Sequence, residues 1–196
     1  MEHLFSSKKG LISRKKKETL LNQKGTCLWL TGLSGSGKTT IAKIVSEKLH
    51  KNGILTNVLD GDNIRLGINS NLTFSEEDRL ENVRRTAEIA KLFVECGIVT
   101  ICCLVSPTVK IRKLAKKIIG EEDFNEIYIS TSLKQCKKRD TKGLYKKAEM
   151  GLVQNFTGIS APYQAPINPK LSIPTQNLSK EESSEILFNF AYDLIK

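Results

Sequence analysis

Residues 32–39 read Gly-Leu-Ser-Gly-Ser-Gly-Lys-Thr, and no other stretch limits the possible folds of this chain as strongly. The spacing G-x-x-x-x-G-K-[ST] is that of a phosphate-binding loop, which works only between a strand and the helix that follows it. Both flanks agree. Cys27-Leu28-Trp29-Leu30 is a short apolar run of the kind that forms a buried strand, and Thr40-Ile41-Ala42-Lys43-Ile44-Val45 reads as a helix start. Gly32, Gly35 and Gly37 let the backbone turn tightly and come close to a polyphosphate. The loop N–H groups and the helix N-terminus then face negative charge. Lys38 can reach the β- and γ-phosphates, and the Thr39 hydroxyl is a candidate ligand for Mg²⁺. The loop alone does not say what receives the phosphate, or whether water does.

The rest of the chain alternates strand and helix signals. A first helix spans about 39–52 and stops at Gly53. A strand over 54–59 ends in Asp60-Gly61-Asp62. Ser75 offers a helix cap, and Leu80, Val83, Ala87, Ala90 and Val94 then recur at helical spacing until Gly97. Residues 98–105 form a continuous apolar run, the pattern of a strand buried on both faces, and stop at Ser106-Pro107. A helix over 111–119, a strand over 127–129 and a short helix over 133–139 follow. Residues 141–169 are rich in Gly and Pro and read as loop. A short strand over 171–173 precedes a closing helix capped by Ser179, with Ile186, Leu187, Phe190 and Leu194 expected on one face. This order predicts an α/β fold, a mostly parallel sheet with helices on both faces in a three-layer sandwich. Ligands of such sheets gather at the C-terminal strand ends, where the phosphate loop, Asp60-Gly61-Asp62 and Ser106 all fall.

The 196 residues suffice for one such domain, and 39% hydrophobic with 27% charged residues is an ordinary globular balance. No apolar run approaches the ~20 residues of a membrane span. The formal net charge of +10 concentrates in 14–17, 110–117 and 134–147. It fits small polyanions such as ATP better than nucleic acid, because no nucleic-acid module and little aromatic interleaving accompany it. Cys27, Cys96, Cys102, Cys103 and Cys136 are odd in number, lack zinc-ligand spacing and lie mostly in apolar runs, which reads as reduced, buried thiols. Residues 1–24 are polar and basic and read as a flexible arm before a domain at 25–196. The expected location is the cytoplasm, with organelle import left open.

Six blocks in order carry a resemblance to one family. They are Gly-Leu-Ser-Gly-Ser-Gly-Lys-Thr-Thr (32–40), Leu-Asp-Gly-Asp-Asn-Ile-Arg (59–65), Phe-Ser-Glu-Glu-Asp-Arg-Leu-Glu-Asn-Val-Arg-Arg (74–85), Ser106-Pro107, Arg-Asp-Thr-Lys-Gly-Leu-Tyr-Lys-Lys-Ala (139–148) and Asn-Phe-Thr-Gly-Ile (155–159). From about residue 25 onward the chain resembles adenylyl-sulfate kinase, a P-loop NTPase-type fold. That family transfers the γ-phosphate of ATP to the 3′-hydroxyl of adenosine 5′-phosphosulfate in sulfate activation. The resemblance implies Mg²⁺ as cofactor with ATP as co-substrate and a homodimer; from the composition, neither nucleic acid nor membrane is expected as partner.

It also implies roles. Gly32, Ser34, Gly35, Ser36, Gly37, Lys38, Thr39, Thr40 and Arg139 correspond to the ATP side, with Thr39 on the metal. Asp62 is the candidate group for the acceptor hydroxyl, and Asp60 reads as a turn cap. Asn63, Arg65, Arg79 and Asn82 resemble acceptor contacts, and a guanidinium suits phosphosulfate oxygens. Phe74 and Phe156 resemble two rings sandwiching the acceptor adenine. Val105 and Ser106 would line the acceptor site, with Ser106 a hydrogen-bonding neighbour of direct transfer. Lys142 would contact the acceptor from a lid over about 141–169. Thus Lys38, Asp62, Ser106 and Lys142 form the candidate catalytic set. The match is poor at 171–178, where the ATP adenine would sit. The loop itself would equally serve a nucleoside, shikimate or gluconate kinase of the same fold, or a nucleotide switch. The first rival leaves Phe74, Phe156 and the Arg65/Arg79/Asn82 group unexplained, and Lys38, Thr39, Asp62 and Lys142 together speak against the second.

Overall fold

The computed structural model describes residues 10–196. Five strands, β1 (Thr26–Thr31), β2 (Thr56–Asp60), β3 (Val99–Cys103), β4 (Phe124–Ile129) and β5 (Leu171–Ile173), form one sheet in the order β2-β3-β1-β4-β5. Every pairing is parallel. The helices are α1 (Arg14–Leu21), α2 (Lys38–Lys51), α3 (Gly61–Leu66), α4 (Glu76–Glu95), α5 (Val109–Ile119), α6 (Leu133–Arg139), α7 (Leu144–Glu149) and α8 (Lys180–Ile195).

The side-chain alternation of β1 generates the layers. Leu28 and Leu30 face α2 and α8 in a core with Ile41, Val45, Leu49, Leu187 and Ala191. Cys27 and Trp29 face the opposite way, into a core with Val83, Ala87 and Val94 of α4 and Ile111 and Ala115 of α5. Each fully buried Leu or Ile contributes about 1.5–3 kcal/mol relative to exposure. The winding runs from β1 to β2 and β3 on one side and to β4 and β5 on the other, so the reversal falls beside β1. The crevice at that point opens over the C-terminal end of β1, where the phosphate loop begins.

Local signals fix the helix starts. Ser75, Thr108, Ser132 and Ser179 each accept a bond from a first-turn N–H of the following helix. Ser179 and Glu182 complete a reciprocal capping box.

Four of the departures from the sequence reading concern the helices. The expected flexible arm at 1–24 is, in its later part, the helix α1, capped by Ser13; residues 1–9 lie outside the described residues. Arg14 binds both oxygens of Asp123, at 2.6 and 2.8 Å, and the Gly25 carbonyl at 2.7 Å. Gln23 is buried, donates to the Leu55 and Gly97 carbonyls and accepts from the Leu55 N–H, as a strand would. Second, Asp60-Gly61-Asp62 opens a helix, α3, rather than a simple turn. Third, the loop-rich 141–169 contains α7, whose first-turn N–H groups at Tyr145 and Lys146 are accepted by Asp140. Fourth, α8 buries Ser183, Ser184, Leu187, Ala191 and Ile195, whereas Ile186 is exposed. Two serines and an alanine in the buried stripe allow α8 to lie close to α2, and their low hydrophobicity hid the stripe.

Candidate active site

The loop between β1 and α2 is shaped by its glycines. Gly37 caps α2 at φ +109° without a side-chain bond, so the first N–H groups of the helix keep no side-chain acceptor there. A Cβ on Gly32 would lie 2.7 Å from the Ile129 carbonyl oxygen. Lys38 is buried and folds back over the loop. Its Nζ donates to the carbonyls of Gly32 at 2.9 Å and Leu33 at 2.8 Å. Burial pushes its pKa down to about 8. The ammonium is thus a desolvated cation that gains from meeting a polyanion.

A clamp holds the other end of the loop. The Ser36 carbonyl accepts from Thr131 at 3.0 Å, Thr175 at 2.8 Å and Arg139 at 3.2 Å. Arg139 also binds the Thr175 carbonyl at 2.7 Å. Three segments that follow β1, β4 and β5 therefore lock together around the loop. Thr131 and Thr175 carry no local signature, and Thr175 lies in the poorly matching stretch; only the fold brings them here.

Asp60 joins the loop to the second half of the site. Its Oδ2 accepts from the Thr39 hydroxyl at 2.7 Å, while Oδ1 accepts from the Asp62 N–H at 3.0 Å and caps α3. The capping role is as expected; the bond to Thr39 is an addition. The position of Asp60 at the end of the strand beside the loop was the available signal.

One cavity of about 770 Å³ runs from the phosphate loop across Asp60 to α3 and α4. Ser34, Gly35, Gly37, Lys38, Thr39, Thr40 and Arg139 line one end, together with Thr175, Leu178 and Ser183. Asp62, Asn63, Arg65, Phe74, Arg79, Asn82, Val105, Ser106 and Lys142 line the other. Gly32 and Ser36 are buried members of the loop outside the lining, and Phe156 also lies outside it. Phe156 meets the ring of Tyr145 edge-on at 5.0 Å, in a small cluster with Leu33, Leu133 and Ile159. The two phenylalanines expected as a sandwich do not face one another across the cavity. A link exists between them, because Arg79 donates to the Asn155 carbonyl and to the Thr157 hydroxyl on either side of Phe156.

The acceptor end is cationic. Arg65 and Arg79 approach the half-exposed Phe74 ring with guanidinium carbons 4.4 and 5.5 Å from its centroid. Their donors go to neutral oxygens: Arg65 to the Leu72 and Thr73 carbonyls, Arg79 to Phe74, Asn155 and Thr157. Glu81, a possible ion-pair partner, is taken by Arg84 and Arg85 instead. Burial lowers the pKa of both arginines, and the charge of Arg65 adds to the effect on Arg79. Two close guanidinium groups with no bound carboxylate among the described residues form a site for an anion with several oxygens.

Asp62 is exposed and forms an ion pair with Lys142, so these two candidate residues meet at the mouth of the cavity. Ser106 lies at the end of the central crevice with φ +37°, a left-handed conformation uncommon for serine. Its hydroxyl is turned into the core, where it accepts from Trp29 Nε1 at 3.1 Å. Buried Arg112 holds the Ser106 carbonyl at 2.8 Å, the Gln164 carbonyl at 2.8 Å and Glu126 at 2.6 Å. Arg112 carried no sequence signal beyond an α5 position.

The comparisons with known proteins agree among themselves. A model of the adenylylsulphate kinase family matches residues 24–174. The adenylyl-sulfate kinase of Phocaeicola vulgatus is 56% identical over 194 residues, spanning 99% of this chain and 95% of the relative. That of Bacteroides fragilis is 57% identical over 173 residues, spanning 88% of this chain and 86% of the relative. Among solved structures, the Mycobacterium tuberculosis APS kinase in complex with AMPPNP and APS aligns with a TM-score of 0.83 at 42% identity, covering 86% of this chain and 98% of that one.

Proposed function

The chain belongs to the adenylyl-sulfate kinase family, and we propose on that premise that its cavity holds ATP and adenosine 5′-phosphosulfate end to end. The reaction moves the γ-phosphate of ATP to the 3′-hydroxyl of the acceptor, giving 3′-phosphoadenosine 5′-phosphosulfate and ADP. The observation that carries the assignment of sites is the continuity of one cavity from the phosphate loop, past Asp60, to the Arg65/Arg79/Phe74/Asn82 group. A hydrolase would need no such second half.

The ATP phosphates lie on the loop and the N-terminus of α2. Lys38 exchanges the carbonyls of Gly32 and Leu33 for phosphate oxygens, and this brings its charge to the group in transfer. Arg139 and Thr175 keep the loop in shape, and Leu178 and Ser183 bound the adenine end. The residues fit Mg²⁺, since the Thr39 hydroxyl and the Asp60 carboxylate are hard oxygen donors 2.7 Å apart beside the loop. When bound there the ion supplies charge neutralisation on phosphate oxygens.

At the other end Arg65 and Arg79 take the phosphosulfate, and Phe74 offers a face to the acceptor adenine. Phe156 reaches that adenine only if the 155–157 segment shifts with Arg79, which binds the phosphosulfate in place of its present partners. Asp62 accepts the proton of the 3′-hydroxyl, and Lys142 sets its orientation through their ion pair. Val105 and the strained Ser106 backbone form the wall of the acceptor site. Residues 141–169 act as a lid that excludes water. Its present latches are the Tyr145 hydroxyl on the Ser34 carbonyl at 2.9 Å and Arg79 on Asn155 and Thr157.

The homodimer implied by the resemblance and the cytoplasmic setting expected from the sequence, with organelle import left open, belong to the same proposal. The buried free thiols of Cys27, Cys102, Cys103 and Cys136 support a reducing setting. No described helix is long and apolar enough to cross a membrane. Asp62→Asn tests the core of the reading. It is expected to lower kcat about 10²- to 10⁴-fold with the acceptor still bound, as loss of a general base does. Turnover near the unmodified rate removes Asp62 from that role.

A further inference from the structure

We propose that Asn69 is a positioning residue for acceptor recognition, fixing the side-chain amide of Asn82 so that its Nδ2 donor faces the cavity. The inference rests on the reading above, in which the acceptor nucleotide lies against Asn82. Asn69 is fully buried on the turn between α3 and α4 and does not line the cavity. Its backbone is pinned on both sides: its N–H donates to the Ile64 carbonyl at 3.0 Å, and its carbonyl accepts from the Leu72 N–H at 3.0 Å. Its Nδ2 donates to Asn82 Oδ1 at 3.0 Å and to the Asn82 backbone carbonyl at 3.4 Å.

The order of these bonds fixes both amides. A backbone carbonyl only accepts, so it selects the nitrogen of Asn69, not the oxygen, at that place. That nitrogen in turn selects Oδ1 of Asn82. With Oδ1 committed to Asn69, the half of the Asn82 amide left for a ligand is Nδ2. Asn82 is nearly buried and lines the acceptor end of the cavity, so a ligand there meets a hydrogen-bond donor held in one orientation. A freely flipping amide would accept either a donor or an acceptor; this one favours a ring nitrogen or an oxyanion oxygen and disfavours an N–H or O–H.

A second observation points the same way. Asn69 Oδ1 is buried and has no hydrogen-bond partner among the described residues. An unpaired buried carbonyl oxygen costs free energy, and leucine would fill nearly the same space without that cost. What the amide does at this position is done by its nitrogen, and among the described residues that nitrogen donates only to Asn82.

The test is a double-mutant cycle read by steady-state kinetics, with Asn69→Leu, Asn82→Ala and the pair. Asn69→Leu is expected to raise the KM for adenosine 5′-phosphosulfate about three- to tenfold, the effect of one misdirected hydrogen bond, with the KM for ATP unchanged. In the Asn82→Ala background the same substitution should add less than about twofold, because the group it positions is gone. An unchanged acceptor KM, a full effect in both backgrounds, or equal rises in both KM values overturns the proposal. If Asn69→Leu does not fold, Asn69→Ser, whose shorter side chain does not reach Asn82, carries the same cycle with the same expectations. An unmodified enzyme without turnover on adenosine 5′-phosphosulfate removes the functional reading, and the inference with it. Normal turnover without coupling removes the inference alone.

Discussion

Lys38 makes the affinity for ATP depend on pH in a calculable way. The side chain is buried, and its pKa falls from the ordinary 10.5 to about 8 because burial disfavours the charged form. Holding it charged at neutral pH therefore costs about 3 kcal/mol, at 1.36 kcal/mol per pH unit. A bound triphosphate returns that energy by supplying the missing negative charge, so ATP binds the protonated lysine. The apparent Kd then scales with the reciprocal of the protonated fraction, which is about nine-tenths at pH 7 and one-tenth at pH 9. ATP affinity should thus weaken about tenfold between pH 7 and pH 9. The kcat should stay flat over the same range, since the lysine in the complex remains protonated. Titration calorimetry with a non-hydrolysable ATP analogue in two buffers of different ionisation enthalpy reads both the weakening and the proton taken up. Stability moves oppositely to affinity. Between about pH 8 and 10.5 the unfolded chain binds more protons at this lysine than the folded one, so its contribution to stability rises with pH across that window. A Kd that is constant from pH 7 to 9, or a kcat that falls with the same midpoint, refutes the reasoning.

Other expectations follow from single contacts. Phe74→Ala should weaken acceptor binding by about 1–3 kcal/mol through lost stacking and leave the KM for ATP unchanged; calorimetry with each nucleotide separates the two. Ser106→Ala should keep turnover within about tenfold, because the hydroxyl is engaged by Trp29 Nε1 and the Leu104 carbonyl. A loss as large as that of Asp62→Asn would mean that the hydroxyl takes part in the transfer. Gly25→Ala should destabilise the fold by roughly 3 kcal/mol, since the added Cβ would stand 2.4 Å from the Val94 carbonyl oxygen and 2.9 Å from Gly97 Cα, both backbone. A thermal melt lowered by about 6–12 °C is the expected reading for a domain of this size, and an unchanged melt contradicts it.

The parts of this molecule that were legible in the sequence are those whose determinants are local. The phosphate loop was legible because its backbone path demands glycine at fixed spacing. The two-sided burial of β1 and β3 showed as mainly apolar runs, interrupted in β3 only by Thr100, and Ser75 and Ser179 announced their helices. The parts that were not legible depend on contacts far apart in the chain. Helix α1 has no buried residue and no apolar stripe; it docks through Arg14 on Asp123 and is followed by Gln23 on Leu55 and Gly97, which no window of sequence reveals. Helix α7 is six residues long and set up by Asp140, a signal lost among the glycines around it.

In the site, Lys38, Thr39, Asp62, Lys142 and the Arg65/Arg79/Asn82 group meet around one cavity, as their motifs implied. Arg112, Thr131, Thr175 and Asn69 act by holding others in place, and a holding role leaves no pattern in the residues that perform it. Phe156 shows the converse. Its motif was legible, yet its ring packs on Tyr145 because the 155–157 segment is tied to Arg79 in this conformation.

The most direct test of the central claim is ADP release from Mg·ATP with and without adenosine 5′-phosphosulfate, with the nucleotide product identified by mass. The two-ended cavity predicts ADP release that depends strongly on the acceptor, matched one to one by a product carrying a new phosphate on the 3′-hydroxyl. ADP release at the same rate without the acceptor, or nucleotide binding without any phosphorylated acceptor, contradicts it.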